Sequence, residues 1–197
     1  QWRAMAHIET FKKINDCTVR KLRESGCKEL FVGIESGSSR ILKKIHKTHD
    51  IEKIKFSIES LLKNGINVKG YFIYGFPTET KSDFDMTLTL AKHFRDKAIE
   101  YGTIFRTSVF QYRPYHGTEL FHQISSDKKS KVNIIKNIQP NIALSEEIGR
   151  LQFNFHSENL CDEDISLVQE YILDTTKLNS LCIFDSNEEP NQNAESN

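Results

Sequence analysis

The sequence predicts an α/β fold, a partial (β/α) barrel with helices outside and a helical C-terminal extension. Three observations carry that reading. Short apolar, β-branched or aromatic runs recur at "KELFVGI" (28–34), "NVKGYFIYG" (67–75) and "TIFRTSVFQY" (103–112). Stretches of helical periodicity separate them, each long enough to cross back to a parallel strand. Finally, "SGCKELFVGIESG" and "NGINVKGYFIYGFP" look like two copies of one unit: glycine stop, strand, glycine, polar turn.

The elements follow in order. "WRAMAHIETF" (2–11) reads as the first strand. "DCTVRKLRESG" (16–26) reads as a helix with Asp16 as N-cap, Val19 and Leu22 on one face, and Gly26 as stop. The run 28–34 is of the kind buried on both faces. A short helix "SSRILKKIH" (38–46) precedes a longer one, "IEKIKFSIESLLKN" (51–64), which Asp50 caps and Gly65 closes. Ile51, Ile54, Ile58, Leu61 and Leu62 share its apolar face. After the strand at 67–75, "SDFDMTLTLAKHFRDKAIEYG" (82–102) is a long helix with Ser82 as its cap. The strand at 103–112 leads into "RPYHGTELF" (113–121).

Residues 1–121 therefore form the core, and 122–184 a mostly helical extension. Within it, "LSEEIGRLQFNFH" (144–156) and "DEDISLVQEYILDTTKL" (162–178) read as helices lying across the sheet or its open edge. The polar, low-complexity "DSNEEPNQNAESN" (185–197) reads as a disordered tail.

Composition narrows the function. Lys+Arg and Asp+Glu both number 27, so net charge predicts neither a nucleic-acid nor a membrane-surface partner. Hydrophobic residues make up 38%, mean hydropathy is −0.51, and no apolar run approaches the ~20 residues of a membrane span. With no secretory signal pattern, a cytoplasmic protein is expected. The chain opens on Gln1, mid-pattern and without Met, which leads to the expectation of a piece cut from something longer. Cys17, Cys27, Cys161 and Cys182 have no zinc-site spacing and no C-x-x-C, so they read as reduced, mostly buried thiols and as no metal site.

In parallel α/β folds ligands sit at the carboxyl ends of the strands. Those ends read Gly33-Ile34-Glu35-Ser36-Gly37-Ser38, Gly75-Phe76-Pro77-Thr78-Glu79-Thr80 and Gln111-Tyr112-Arg113-Pro114-Tyr115. Glycine there would let a ligand approach the backbone and leave amide N–H groups free to bind it. Glu35, directly after a buried run, needs a ligand or a partner, and Arg40 or Lys47 could be that partner. Glu79 could instead cap the helix that follows. The turn 37–40 could also bind phosphate at a helix N-terminus, as in an unrelated barrel enzyme.

Together, "WRAMAHIETF", "LRESGCKELFVGIESGSSRILKKIHK", "NGINVKGYFIYGFPTETKSDFDMTLTLAK" and "YRPYHGTELF" resemble the second half of a radical S-adenosylmethionine (radical SAM) enzyme core, with the flavour of the cobalamin-associated branch. The resemblance covers about residues 2–121. It implies an enzyme holding a [4Fe–4S] cluster and S-adenosylmethionine, cleaved to a 5′-deoxyadenosyl radical that abstracts hydrogen from a small-molecule substrate. Cobalamin as a further cofactor, and an electron donor such as flavodoxin or ferredoxin, come with it. By position it implies cofactor contacts at Glu35 and Ser36, Lys47 at the methionine carboxylate, Ile73 and Gly75 beside adenine, and Tyr112, Arg113, Pro114 and Tyr115 closing over the nucleoside. Arg106, Arg113, His116 and His156 are candidates for substrate contact. The family's C-x-x-x-C-x-x-C is missing here, which places the cluster ligands outside this chain. The family more often has Gly where Thr78 stands, Arg at His7 and Pro at His116. A non-catalytic, degenerate binding module is the alternative.

Overall fold

The strands β1 (Trp2–His7), β2 (Cys27–Glu35), β3 (Asn67–Tyr74) and β4 (Phe105–Gln111) lie in the order of the chain, each parallel to the next. The computed structural model describes residues 1–11, 15–113, 115, 117–126, 163 and 165–180. Helices α1 (Asp16–Glu24), α2 (Ser39–Lys44), α3 (Ile51–Lys63) and α4 (Lys81–Glu100) run between the strands. After β4 come α5 (Glu119–Ser126) and α6 (Ile165–Lys177). Four sequential parallel strands alternating with helices give the α/β arrangement of a partial (β/α) barrel, as expected.

Strand β3 shows how the sequence sorts its two faces. Val68, Gly70, Phe72 and Tyr74 are buried, whereas Asn67, Lys69, Tyr71 and Ile73 are half-buried. Of these, Val68 and Phe72 pack in one core with Ile54, Ile58, Leu61 and Leu62 of α3 and Leu90, Ala91 and Phe94 of α4. Strand β2 was expected to be buried on both faces and is not. Leu30, Val32 and Ile34 are buried, but Phe31, Gly33 and Glu35 are only half-covered. Helices cover one side of this sheet, and the other is the inner, concave side.

Several local expectations shift by a residue or two. The strand at 2–11 ends at His7, and Ile8–Phe11 turn in a 3-10 helix that sends Ile8 and Phe11 into the core. Asn15, not Asp16, caps α1, accepting from the Thr18 amide at 2.9 Å. Asp16 instead accepts from the Ser60 hydroxyl at 2.7 Å, tying α1 to α3. Thr80, not Ser82, caps α4, because Asp83 one turn on reaches back to the Thr80 amide at 2.9 Å. Asp50 caps α3 as expected, and Gly26 and Gly65 both turn the chain at positive φ.

The last predicted helix appears as α6 and covers the outer side of β3 and β4. Its Val168 and Tyr171 pack with Tyr74 and Phe84, and the Tyr74 hydroxyl lies 2.7 Å from Thr175 Oγ1. Asn179 then accepts from the Thr107 amide at 2.7 Å. The helix read at 144–156 and the tail at 185–197 lie outside the described residues. Among the described residues no helix is long and apolar enough to cross a membrane.

Candidate functional site

At the end of β2 the register with β3 slips between Gly33 and Glu35, and Glu35 adopts φ +69°. A bulge of this kind re-aims a side chain where strand pairing ends. Lys47 Nζ lies 2.6 Å from Glu35 Oε1, so of the two partners considered from sequence, Lys47 takes the carboxylate. A Cβ on Gly33 would stand 2.6 Å from that same oxygen and 3.1 Å from Lys47 Nζ. Glycine at 33 makes room for the ion pair.

Ser36 and Gly37 face the other way. The Ser36 hydroxyl is buried, 3.1 Å from Thr87 Oγ1, and accepts from the Ser38 amide at 3.1 Å. The Gly37 amide donates to Thr87 Oγ1 at 2.9 Å. A Cβ on Gly37 would press on the Met86 carbonyl and lie 2.8 Å from Thr87 Cα. This glycine serves close packing against α4 rather than ligand approach, which corrects the expectation of free amides there. The phosphate reading of 37–40 fails as well. Its first two amides are taken, and the Ser38 hydroxyl donates at 2.6 Å to Asp83, a carboxylate that would repel an anion.

The end of β3 is closed by its own carboxylate. Glu79 is fully buried, and its Oε2 accepts from the Gly75 amide at 2.6 Å and the Phe76 amide at 2.9 Å. The Gly75 amide is therefore occupied, another correction to the sequence reading. Glu79 fixes the corner and leaves helix capping to Thr80 and Asp83. Its Oε1 is buried with no hydrogen-bond partner among the described residues. Burial pushes the Glu79 pKa up to about 8, more than the two amides pull it down, and the nearby Asp83 charge adds to the rise. Burial alone would raise Asp83 too, but hydrogen bonds from Arg40, Ser38 and Thr80 together hold it below its ordinary value.

The corner needs two left-handed residues, Gly75 at φ +88° and Thr78 at φ +63°. Thr78 tolerates this because two cations hold it. Arg40 Nη2 donates to its carbonyl at 2.8 Å, and Lys44 Nζ reaches Thr78 Oγ1 at 3.1 Å and the Pro77 carbonyl at 3.0 Å. Arg40 also pairs with Asp83.

Beside this corner lies a cleft of about 580 Å³, lined by Ile73, Phe76, Phe110, Tyr112, Arg113 and Tyr115, with Gln111 at its edge. Phe76 and Tyr112 pack with ring centroids 5.0 Å apart, and the Tyr112 amide donates to the Tyr74 carbonyl at 2.7 Å. Burial pushes the Tyr112 phenol up to about 12. A smaller cleft of about 210 Å³ shares Tyr112, Arg113 and Tyr115 and adds Lys44, His46 and Glu119. Ile73, Tyr112, Arg113 and Tyr115 thus come together, with Gly75 in the corner that backs them. Pro114, His116 and His156 lie outside the described residues. Phe110 was missed from sequence, and Phe76, although inside the second strand-end cluster, was assigned no contact of its own. Phe110 was detectable, because the period of two in a strand puts it on the same face as Arg106 and Ser108, toward the carboxyl end of β4.

Arg106 is committed elsewhere. Its Nη2 and Nε lie 2.5 and 3.1 Å from Glu29 Oε1, while Arg3 Nε lies 3.5 Å from Glu29 Oε2. Among the described residues no group of three or more His, Cys, Asp or Glu could hold a metal ion. Cys27 is buried as expected, and burial raises its thiol pKa, but Cys17 is exposed on α1. Cys161 and Cys182 lie outside the described residues.

Comparison with known proteins agrees with this architecture. Residues 7–91 match the Radical SAM superfamily. An uncharacterized methyltransferase of Pyrococcus horikoshii is 32% identical over 120 residues, which are 61% of this chain and 24% of that protein. The tRNA-2-methylthio-N(6)-dimethylallyladenosine synthases of Petrotoga mobilis and Chlorobium phaeobacteroides are 27% and 29% identical over 171 residues. Those alignments take in 80% and 83% of this chain but 35% and 36% of the synthases. The chain thus spans only a quarter to a third of the curated relatives it matches. The match reaches the superfamily, not a cobalamin-associated branch of it. The stretch similar to that superfamily runs from the end of β1 to the middle of α4.

Proposed function

We propose that this chain forms part of the S-adenosylmethionine site of a radical SAM enzyme, with the cofactor at the carboxyl ends of β2, β3 and β4. The cleft between Ile73, Phe76, Phe110 and Tyr112 carries the reading. Its volume falls within the range of small-molecule sites, and its flat, largely apolar walls suit an adenine ring. Arg113 at its rim suits the polar end of the ligand. S-adenosylmethionine, once bound, supplies the reactive fragment that attacks the substrate.

The chain's own part is to bind and orient. Ile73 and Phe110 present apolar surface, the packed Phe76–Tyr112 pair closes one side, and the Glu79-fixed corner keeps the backbone under the ring rigid. The Glu35–Lys47 pair offers a carboxylate acceptor for sugar hydroxyls and an ammonium donor for a carboxylate. The described residues do not fit a [4Fe–4S] cluster, so no step is derived through one. An electron donor such as flavodoxin or ferredoxin belongs to the same proposal.

The relatives' names, a methyltransferase and tRNA methylthio-modifying synthases, support methyl or methylthio transfer as the reaction class. They also favour a second reading in which the substrate is RNA, against the even charge balance that argued for none. Titration calorimetry with S-adenosylmethionine tests the site. Saturable binding is expected, weakened about tenfold or more in Ile73→Asp, where a charge would face the ring. Absence of binding, or equal binding by the variant, would overturn the assignment.

A further inference from the structure

We propose that the concave face of the sheet carries an oxyanion-binding subsite built on Lys69, which takes the phosphate or carboxylate group of a small-molecule substrate. The observations begin with the register. Arg3, Glu29 and Asn67 stand in one row across β1, β2 and β3, and Met5, Phe31, Lys69 and Arg106 in the next, across all four strands. Above them come His7, Gly33, Tyr71 and Ser108, then Ile73 beside Phe110.

Contacts on this face span alternate strands. Arg106 on β4 reaches Glu29 on β2 across β3, although alternate strands lie about 9.5 Å apart. Arg3 reaches the same carboxylate from β1. Glu29 thus makes a floor with two guanidiniums, Arg3 from its own row and Arg106 from the next. Lys69 stands above it as a third cation.

Lys69 and Arg106 are direct ladder partners, and like charges placed opposite each other repel. Glu29 offsets this for Arg106. For Lys69 no carboxylate partner exists among the described residues, and the ammonium lies over the Tyr71 and Phe31 rings at 5.6 and 5.9 Å from their centroids. Two aromatic faces hold a half-buried cation in place without neutralising it. Tyr71 stacks on Phe110 with centroids 6.1 Å apart, extending the apolar surface from Lys69 up to the cofactor cleft.

The remaining charges do not change the balance. Glu35 is matched by Lys47, and Glu29 serves both arginines. The complement of this face is an anionic group on an apolar body that reaches up past Tyr71. The inference rests on the proposed function only in naming that ligand the substrate.

The test titrates the full 197-residue chain separately with inorganic pyrophosphate, succinate and S-adenosylmethionine. It is repeated on Lys69→Gln and Lys69→Arg, with circular dichroism as the control for folding. At least one anion is expected to bind saturably, about tenfold or more weaker in Lys69→Gln and nearly unchanged in Lys69→Arg. The tighter anion tells a phosphate from a carboxylate source. In wild-type protein with ¹³C-methylated lysines, the resonance lost in Lys69→Arg should shift along the same titration, so the outcome does not hang on the Gln variant. No saturable anion binding, equal binding by Lys69→Gln, or a stationary Lys69 resonance would each overturn the proposal. Lys69-dependent anion binding without S-adenosylmethionine binding would support the subsite while sinking the cofactor reading.

Discussion

At the end of β2, Glu35 sits 2.6 Å from Lys47 with both side chains partly open to solvent. At the end of β3, Glu79 is sealed, meets two backbone amides, and has its pKa pushed up to about 8 by burial. Both glutamates follow a strand that carries the same kind of glycine-punctuated turn. The difference lies in what else can reach them. Lys47 comes in on a flexible stem from the connection between α2 and α3, whereas Arg40, the guanidinium nearest the other corner, is paired with Asp83. One strand end is left as a charged pair that a ligand can meet. The other is a buried brace.

The sharpest way to break the comparison is Gly37→Val, because at this end of β2 the packing against α4 has no slack. The new side chain would collide with backbone at Met86 and Thr87, and a loss of about 3 kcal/mol or more is expected in urea unfolding. A loss below about 1 kcal/mol would mean that α4 yields readily.

Next in size is Glu79→Ala, which strands the Gly75 and Phe76 amides and should cost roughly 2–4 kcal/mol. Glu79→Gln keeps the acceptor without the titration. The folded protein holds the Glu79 proton up to about pH 8, while the unfolded chain releases it near the ordinary value of 4.5. The stability this gives is fully present below pH 4.5 and is lost as pH rises from there through about 8. Unfolding curves between pH 5 and 9 should therefore fall more steeply for the wild type than for Glu79→Gln. Parallel curves would show that Glu79 is charged in the fold.

The smallest effect is expected at Thr78. Thr78→Gly relieves a left-handed residue, a strain of about 1–2 kcal/mol, but frees the unfolded chain and loses the Lys44 contact. The net change should stay within about 1 kcal/mol. A larger loss would assign the corner to the Arg40 and Lys44 bonds rather than to its backbone.

Legibility followed distance along the chain. Strand β3 and helix α3 were readable because their apolar periods stand within a single segment: Val68, Phe72 and Tyr74 alternate, and Ile54, Ile58 and Leu61 repeat at helical spacing. The capping of α4 was misread by two residues because Ser82 and Thr80 are equally good caps until Asp83 is seen to reach back. At the site, Ile73, Tyr112, Arg113 and Tyr115 were readable as strand ends, and the structure groups them. Lys69 was passed over although a lysine inside an apolar strand is a visible anomaly. Its meaning depends on Arg106, on Glu29 and on two rings, Phe31 from β2 and Tyr71 from its own strand.

By itself the sequence determined the alternation of parallel strands and helices, the glycine-punctuated ends where chemistry would sit, and the resemblance to radical SAM enzymes. Periodicity and turn residues act over a few positions, so they can be read along the line. Only the tertiary structure decided which glycine makes room for an ion pair and which for a helix, which glutamate meets a lysine and which is sealed in, and that two arginines on the inner face share one carboxylate while Lys69 has none among the described residues. Most of those outcomes depend on atoms twelve to about eighty residues apart in sequence, as with Glu35 and Lys47, Lys44 and Thr78, or Glu29 and Arg106, and on the low dielectric that burial creates around them.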